Sequence, residues 1–106
     1  MTDTSIPPAG VPDSLNTAAR LDLYATMWRI RLFEERVLSL FNEGTVRGTA
    51  HPYAGEEAVA TGACAALRPT DYVTSTHRGH GHALAKSLDP GPMLAEIAGR
   101  ATGYCK

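Results

Sequence analysis

The sequence predicts an α/β fold that is mostly helical and contains one strand. Apolar residues recur at helical spacing from about residue 17 to residue 43, and YVTST at 72–76 is β-prone and alternating. Shorter helices are predicted over about 56–67, 80–87 and 92–100. Because a lone strand leaves its backbone groups unpaired, two interpretations stay open: an all-helical domain, or part of an α/β protein that continues. The abrupt end at Lys106 favours the second.

Bulk composition limits the possible partners. The chain has 106 residues, enough for one small domain, of which 43% are hydrophobic and 20% charged. A net charge of -1 gives no electrostatic attraction to nucleic acid or an anionic membrane, and no apolar run approaches the roughly 20 residues that span a bilayer. The N-terminus lacks the apolar core of a signal peptide, and Cys64 and Cys105 form no disulfide framework or CxxC site. We therefore expect a cytoplasmic protein with free thiols.

The first predicted helix is unusually long for so short a chain. Its apolar face consists of Leu23, Met27, Ile30, Phe33, Val37, Leu40 and Phe41. Arg31 and Glu35 are spaced as an i,i+4 ion pair on the other side, and Gly44 is a plausible stop. At about 40 Å, this helix cannot bury its whole apolar face against the remaining residues, so we expect it to pack on something larger. Residues 1–15, rich in Pro, Ser, Thr and Gly, predict a mobile tail.

A loop over 45–55 precedes the helix predicted at 56–67. Glu56 and Glu57 in its first turn suit the positive end of the helix dipole. Side chains of adjacent residues point about 100° apart on a helix, so the two glutamates are not an acid–base pair. The rest of this helix is mostly Ala, Gly, Cys and Val, which predicts close packing and burial.

The turn HRGHGH at 77–82 concentrates three of the four histidines. A metal site is disfavoured because Arg78 repels a dication and no carboxylate or thiol lies nearby. A phosphate site fits better, since Arg78 offers a planar fork of donors next to the predicted strand end, with Gly79 and Gly81 allowing close backbone approach. From the motif alone, an alternative in which Arg78 caps a carbonyl and the histidines pack is equally open.

His51 lies in a loop bounded by glycine and proline, just before the small-residue helix. An imidazole there can act as an acid, a base or a substrate contact, because its pKa lies near neutrality. Without partners in view, a structural hydrogen bond is the favoured interpretation.

Three blocks of the sequence together resemble a known family. They are MWRIRLFEERVLSLFNEG, GTAHPYAGEEAVATGACAALRPTDYVTSTHRGHGHALAKS and MLAEIAGRATGYCK. They are similar to the N-terminal part of the alpha subunit of the thiamine-diphosphate-dependent 2-oxo acid and acetoin dehydrogenases. The resemblance covers about residues 21–106, and TSTHRGHGHALAKS and ATGYCK place the acetoin dehydrogenase branch closest.

The resemblance implies a fold and a set of site residues. It implies that 16–106 form an incomplete N-terminal part of a doubly wound thiamine-diphosphate-binding domain. Arg78 matches the family arginine that binds the diphosphate, and His77 its neighbour beside cofactor and substrate. His51 matches a loop histidine near the substrate, so His51 and His77 are the implied catalytic residues. His80 matches a further family histidine, and neither it nor His82 receives a role.

The resemblance also implies an activity and partners. The implied reaction is cleavage or oxidative decarboxylation at a carbonyl carbon of acetoin or a 2-oxo acid. The product unit passes to lipoamide on the lipoyl domain of a dihydrolipoyl acyltransferase. Alpha and beta subunits form a heterotetramer, with thiamine diphosphate between them. Alternatives are a pyruvate or branched-chain 2-oxo acid dehydrogenase alpha subunit, or, in another class, a small helical interaction module without catalysis.

One departure from the family pattern matters. The family's Gly-Asp-Gly motif and later asparagine, which hold magnesium and the diphosphate, are absent from this sequence. The carboxylate that activates the cofactor comes from the beta subunit in that family. We therefore expect a fragment that carries one edge of the site and is inactive alone.

Overall fold

The first helix begins at a side-chain cap and ends at a left-handed glycine. In the computed structural model, which describes residues 15–105, α1 spans Thr17–Asn42. The Asn16 side chain accepts a hydrogen bond of 2.8 Å from the backbone N–H of Ala19, which satisfies a donor that the helix leaves free. Gly44, just beyond the end of α1, has a φ of 82°, a conformation that glycine adopts without steric cost. The predicted long helix is confirmed.

Three shorter helices follow α1. They are α2 (Glu57–Ala65), α3 (His80–Ala85) and α4 (Pro90–Ile97). Asp89 caps α4 by accepting a hydrogen bond of 2.9 Å from the backbone N–H of Gly91, and Pro90 occupies the first turn, where a proline is well tolerated. No helix among the described residues is long and apolar enough to cross a bilayer. The predicted tail over 1–15 lies, except for Leu15, outside the described range.

The core lies where α2 and α3 pack against the middle of α1. Its buried members are Ile30, Phe33, Val37, Tyr53, Ala60, Leu84 and Met93. Ala60, Thr61 and Cys64 are the buried positions on the small-residue part of α2, whereas Val59 is 65% exposed. The predicted burial of α2 therefore holds for one face only. In the N-terminal half of α1, Leu21, Tyr24 and Trp28 remain about half exposed or more.

The predicted strand at 72–76 is wrong, and with it the α/β fold class. Residues 15–105 contain no strand or sheet, so the described chain is all-helical and shows nothing of a doubly wound sheet. Tyr72 is 99% exposed. A strand needs a neighbouring strand to pair its backbone groups, and the described residues supply none. The segment at 72–76 follows a loop that Lys86 stabilises. The Nζ of Lys86 donates hydrogen bonds to the carbonyl oxygens of Arg68, Pro69 and Asp71, at 3.2, 3.3 and 2.8 Å.

Candidate functional site

His51 and His77 lie against each other across two loops. Their ring centroids are 4.8 Å apart and the rings meet nearly at right angles, at 83°. Both side chains are exposed, so the pair stays open to a ligand. The structure thus brings together two histidines that the sequence placed in separate segments. Arg78 is the residue that follows His77 in the chain.

Tyr53 fixes the relative position of the two loops. It is only 3% exposed and packs into the core two residues after His51. Its ring also contacts Gly81, where an added Cβ atom would overlap it. The glycine at 81 is therefore explained by close packing within the chain. The contact holds the His51 loop against the turn that carries His77 and Arg78.

Glu57 connects the same loop to α1. Its carboxylate accepts a hydrogen bond from Arg31 and another, of 2.8 Å, from the backbone N–H of Gly55. The hydrogen bond from Arg31 is the largest influence on the acid and outweighs the opposing effect of burial, so the pKa of Glu57 falls from 4.5 to about 2. The pKa of Arg31 is raised by the same contact. Arg31 therefore pairs with a residue of α2 rather than with Glu35, its predicted i,i+4 partner.

The guanidinium of Arg78 is available to bind a ligand. It is exposed, and within residues 15–105 no side chain forms an ion pair with its guanidinium. The arrangement in which Arg78 caps a carbonyl is not observed in this range. A Cβ atom at Gly79 would meet the Ser75 hydroxyl, an overlap that rotation of this exposed side chain can relieve. α3 has only six residues, so any anion binding would rely on the Arg78 side chain rather than on the helix dipole.

The three histidines of the turn have three different environments. His77 contacts His51, His80 accepts or donates a hydrogen bond at Nδ1 with Glu34, and the ring of His82 lies edge-on to Tyr53 at 5.3 Å. Among the described residues no group of three or more His, Cys, Asp or Glu side chains is placed to hold a metal ion. Each histidine of the turn thus contacts a different residue, and the three do not form one cluster.

Glu34 is the member of this region that sequence reasoning missed. It is fully buried on α1, and its Oε1 lies 2.8 Å from Nδ1 of His80. Its position on the helix was a usable signal, since Glu34 shares the inward face with Ile30, Phe33 and Val37. A carboxylate on a buried face needs a partner, and the partner lay too far along the chain to be identified without the fold.

Comparison with known proteins identifies the family. The family model described as "Dehydrogenase E1 component" matches residues 25–106. The chain belongs to the dehydrogenase E1 component family. The family predicted from the sequence blocks is therefore confirmed.

Three relatives of this E1 chain show how much of a whole subunit it spans. The alpha subunit of acetoin:2,6-dichlorophenolindophenol oxidoreductase from Bacillus subtilis is 54% identical over 93 residues, which cover 88% of this chain and 28% of the relative. The subunit of the same name from Cupriavidus necator is 45% identical over 91 residues, covering 86% and 27%. The alpha subunit of the pyruvate dehydrogenase E1 component from Zymomonas mobilis is 48% identical over 84 residues, covering 78% and 24%. Among solved structures, none matches significantly.

The E1 chain thus spans about a quarter of the length of these relatives. The family is thiamine-diphosphate-dependent, and the donor set at the turn fits one end of that cofactor. An exposed guanidinium matches the geometry of phosphate oxygens, and the adjacent imidazole pair offers ring nitrogens for hydrogen bonds.

Proposed function

We propose that this E1 chain is the N-terminal part of the alpha subunit of a thiamine-diphosphate-dependent dehydrogenase acting on acetoin or a 2-oxo acid. The observation that carries the proposal is the contact between His51 and His77, the residue before the unpaired Arg78, in a chain of this family. Acetoin is placed first because the 54% identical relative carries that substrate in its name. A pyruvate or branched-chain dehydrogenase alpha subunit is the alternative, supported by the 48% identical pyruvate dehydrogenase relative.

Each residue of the turn has a distinct task in this proposal. Thiamine diphosphate, when bound, supplies the reactive carbon and the electron sink for cleavage next to a carbonyl group. Arg78 binds the diphosphate through charge-assisted hydrogen bonds, which are the strong kind for a guanidinium and phosphate oxygens. His77 lies between the diphosphate and the substrate. His51 contacts a substrate oxygen and shares a proton with it, supported from behind by the His77 ring.

The remaining parts of the machinery are proposed to lie outside this chain. We assign the magnesium ligands to the portion of the subunit that the E1 chain does not span, because no suitable cluster occurs in residues 15–105. The proposed protein partners are a beta subunit and the lipoyl domain of a dihydrolipoyl acyltransferase. The exposed Leu21, Tyr24 and Trp28 on α1 support a packing partner of some kind. A cytoplasmic location is also proposed, and two free thiols, Cys64 and Cys105, agree with it.

A chimera tests the proposal directly. The E1 chain replaces the matching segment of the Bacillus subtilis alpha subunit, and the chimera is produced with the other subunit of that enzyme. The assay is acetoin-dependent reduction of 2,6-dichlorophenolindophenol, the reaction in the relative's name. We expect dye reduction that requires added thiamine diphosphate and magnesium. Replacing acetoin by pyruvate tests whether this segment changes the substrate preference of the host enzyme.

The control separates failure of folding from failure of function. Assembly is checked by sizing the purified complex before any rate is measured. An assembled chimera without cofactor-dependent dye reduction would refute the enzymatic proposal and favour the helical interaction module. The native Bacillus subtilis enzyme, prepared in parallel, sets the reference rate.

A further inference from the structure

Only one of the two carboxylate oxygens of the buried Glu34 has a hydrogen-bond partner among the described residues. The side chain is fully buried on α1, and Oε1 lies 2.8 Å from Nδ1 of His80. The second oxygen, Oε2, is buried and has no hydrogen-bond partner among the described residues. This is a costly arrangement, because a buried oxygen without a partner loses its hydration without compensation.

Stability does not explain why a glutamate occupies this position. Its neighbours on the inward face of α1 are Ile30, Phe33 and Val37, and an apolar side chain of similar volume would pack among them. Replacing buried ionic pairs by apolar residues is often neutral or stabilising. The carboxylate is therefore best explained by what it does to its partner, His80.

His80 is held by two contacts and stays partly exposed. Phe33 contacts its ring edge-on, with centroids 5.8 Å apart, while Glu34 binds Nδ1. A quarter of the His80 side chain, 26%, remains exposed. His80 also lies two residues after Arg78, in the turn that carries the proposed diphosphate site.

An ionised carboxylate only accepts hydrogen bonds, so it selects one form of its imidazole partner. When Glu34 is ionised, Nδ1 of His80 is the donor in their contact and Nε2 is the nitrogen with a free lone pair. A carboxylate behind an imidazole also offsets the positive charge that develops when the ring takes up a second proton. In this pair, His80 can act as a proton acceptor and Glu34 as the group that orients it.

We propose that Glu34 is a positioning residue that acts through His80, and that Nε2 of His80 accepts a proton from a hydroxyl group of the bound substrate. The O–H bond breaks, its electron pair stays on the oxygen, and a new N–H bond forms at Nε2. Glu34 keeps the ring in orientation and balances the imidazolium charge. This inference rests on the proposed function with acetoin as substrate, because acetoin carries a hydroxyl group and the proposed function places it beside the Arg78 turn.

The kinetic test uses the assembled chimera described above. Glu34→Met removes the carboxylate and suits the apolar surroundings, while Glu34→Gln keeps the shape in case the first variant folds poorly. For both we expect kcat to fall about tenfold or more, with the cofactor dissociation constant nearly unchanged. The melting temperature of Glu34→Met should be equal to or above that of the parent. Glu35→Gln, an exposed neighbour on α1, is the matched control and should leave kcat unchanged.

A double variant shows whether Glu34 acts through His80. If it does, Glu34→Met combined with His80→Gln should be no slower than His80→Gln alone, because the two residues form one unit. Effects that multiply would overturn the inference while leaving the proposed function in place. An unchanged kcat in both Glu34 variants would overturn it equally.

A labelling experiment decides the pairing without relying on activity. Diethyl pyrocarbonate modifies an unprotonated imidazole nitrogen, and peptide mass spectrometry reports each site separately. We expect the rate of His80 modification, measured against His51 and His77 in the same molecule, to change several-fold in Glu34→Met, because the carboxylate fixes which ring nitrogen carries the proton. An unchanged ratio would overturn the pairing of Glu34 with His80, even in a chimera that assembles but turns nothing over. Such a chimera would separately refute the proposed function.

Discussion

Arg31 of α1 donates a hydrogen bond to Glu57 at the start of α2, and this contact joins the long helix to the loop that carries His51. The carboxylate is nearly buried, at 7% exposure of its side chain, while the arginine side chain is 44% exposed. Gly55 adds a backbone N–H to the same carboxylate at 2.8 Å. The ion pair therefore stabilises both the helix packing and the end of the loop.

We expect this ion pair to make the free energy of unfolding depend on pH in the acidic range. The pKa of Glu57 is about 2 in the folded chain, against an ordinary value of 4.5. Because the pKa is lowered on folding, the ion pair contributes fully to the free energy of unfolding above about pH 4.5. That contribution is lost as the pH falls towards about 2. Thermal unfolding of the chain, followed by circular dichroism across this pH range, should show the loss.

Glu57→Gln should remove that part of the acid dependence. It should also destabilise the chain by about 1–2 kcal/mol near neutrality, less than a fully buried pair would lose, because Arg31 is partly exposed. Glu56→Gln, at the exposed neighbouring carboxylate, is the control and should behave like the parent. If Glu57→Gln retained the full acid dependence, another group would be responsible.

Gly81→Ala should destabilise the chain because of its contact with Tyr53. The added Cβ atom would overlap the tyrosine ring, and overpacking of this kind costs about 1–3 kcal/mol. Gly62→Ala is a matched control within α2, since a Cβ atom there meets nothing within 4 Å. The control should stabilise the chain by about 0.5–1 kcal/mol, as expected for Gly→Ala inside a helix. Melting temperatures of the two variants should shift in opposite directions, and equal shifts would contradict the packing argument.

Arg78→Ala should weaken binding of thiamine diphosphate more than binding of substrate. Loss of a charge-assisted contact to a diphosphate should cost about 2 kcal/mol, or roughly thirtyfold in the dissociation constant. Titration of the cofactor-free chimera with thiamine diphosphate measures this dissociation constant directly. Arg100→Ala, at an exposed arginine beyond α4, is the control. An unchanged dissociation constant in Arg78→Ala would rule out the diphosphate role.

His51→Ala should reduce turnover while leaving cofactor affinity nearly intact. Proton sharing with a substrate oxygen is typically worth about a hundredfold or more in rate. The side chain is exposed and contacts the His77 ring, so its removal should cost little stability. Rate, cofactor affinity and melting temperature are measured on one preparation of the chimera. A lower melting temperature with normal turnover of the folded enzyme would reduce His51 to a structural role.

The local elements of this protein could be predicted from the sequence because their causes are local. Asn16 and Gly44 mark the two ends of α1, and the apolar spacing between them predicts its helical form. Asp89 and Pro90 likewise mark the start of α4, two residues before the predicted beginning at Pro92. The order of the motif blocks was sufficient to identify the family.

Tertiary structure decided which residues meet, because pairing between distant segments is not encoded in local preference. YVTST has the composition of a strand, yet no neighbouring strand is present among the described residues to pair with it. Arg31 had a predicted partner one turn away and instead contacts Glu57 across the α1–α2 interface. His51 and His77 became a pair only because Tyr53 and Gly81 pack closely and bring their loops together. The nearly buried Glu57 carboxylate needs a partner, and the close packing of Tyr53 on Gly81 excludes water, so these contacts between distant segments decide pairings that sequence spacing does not.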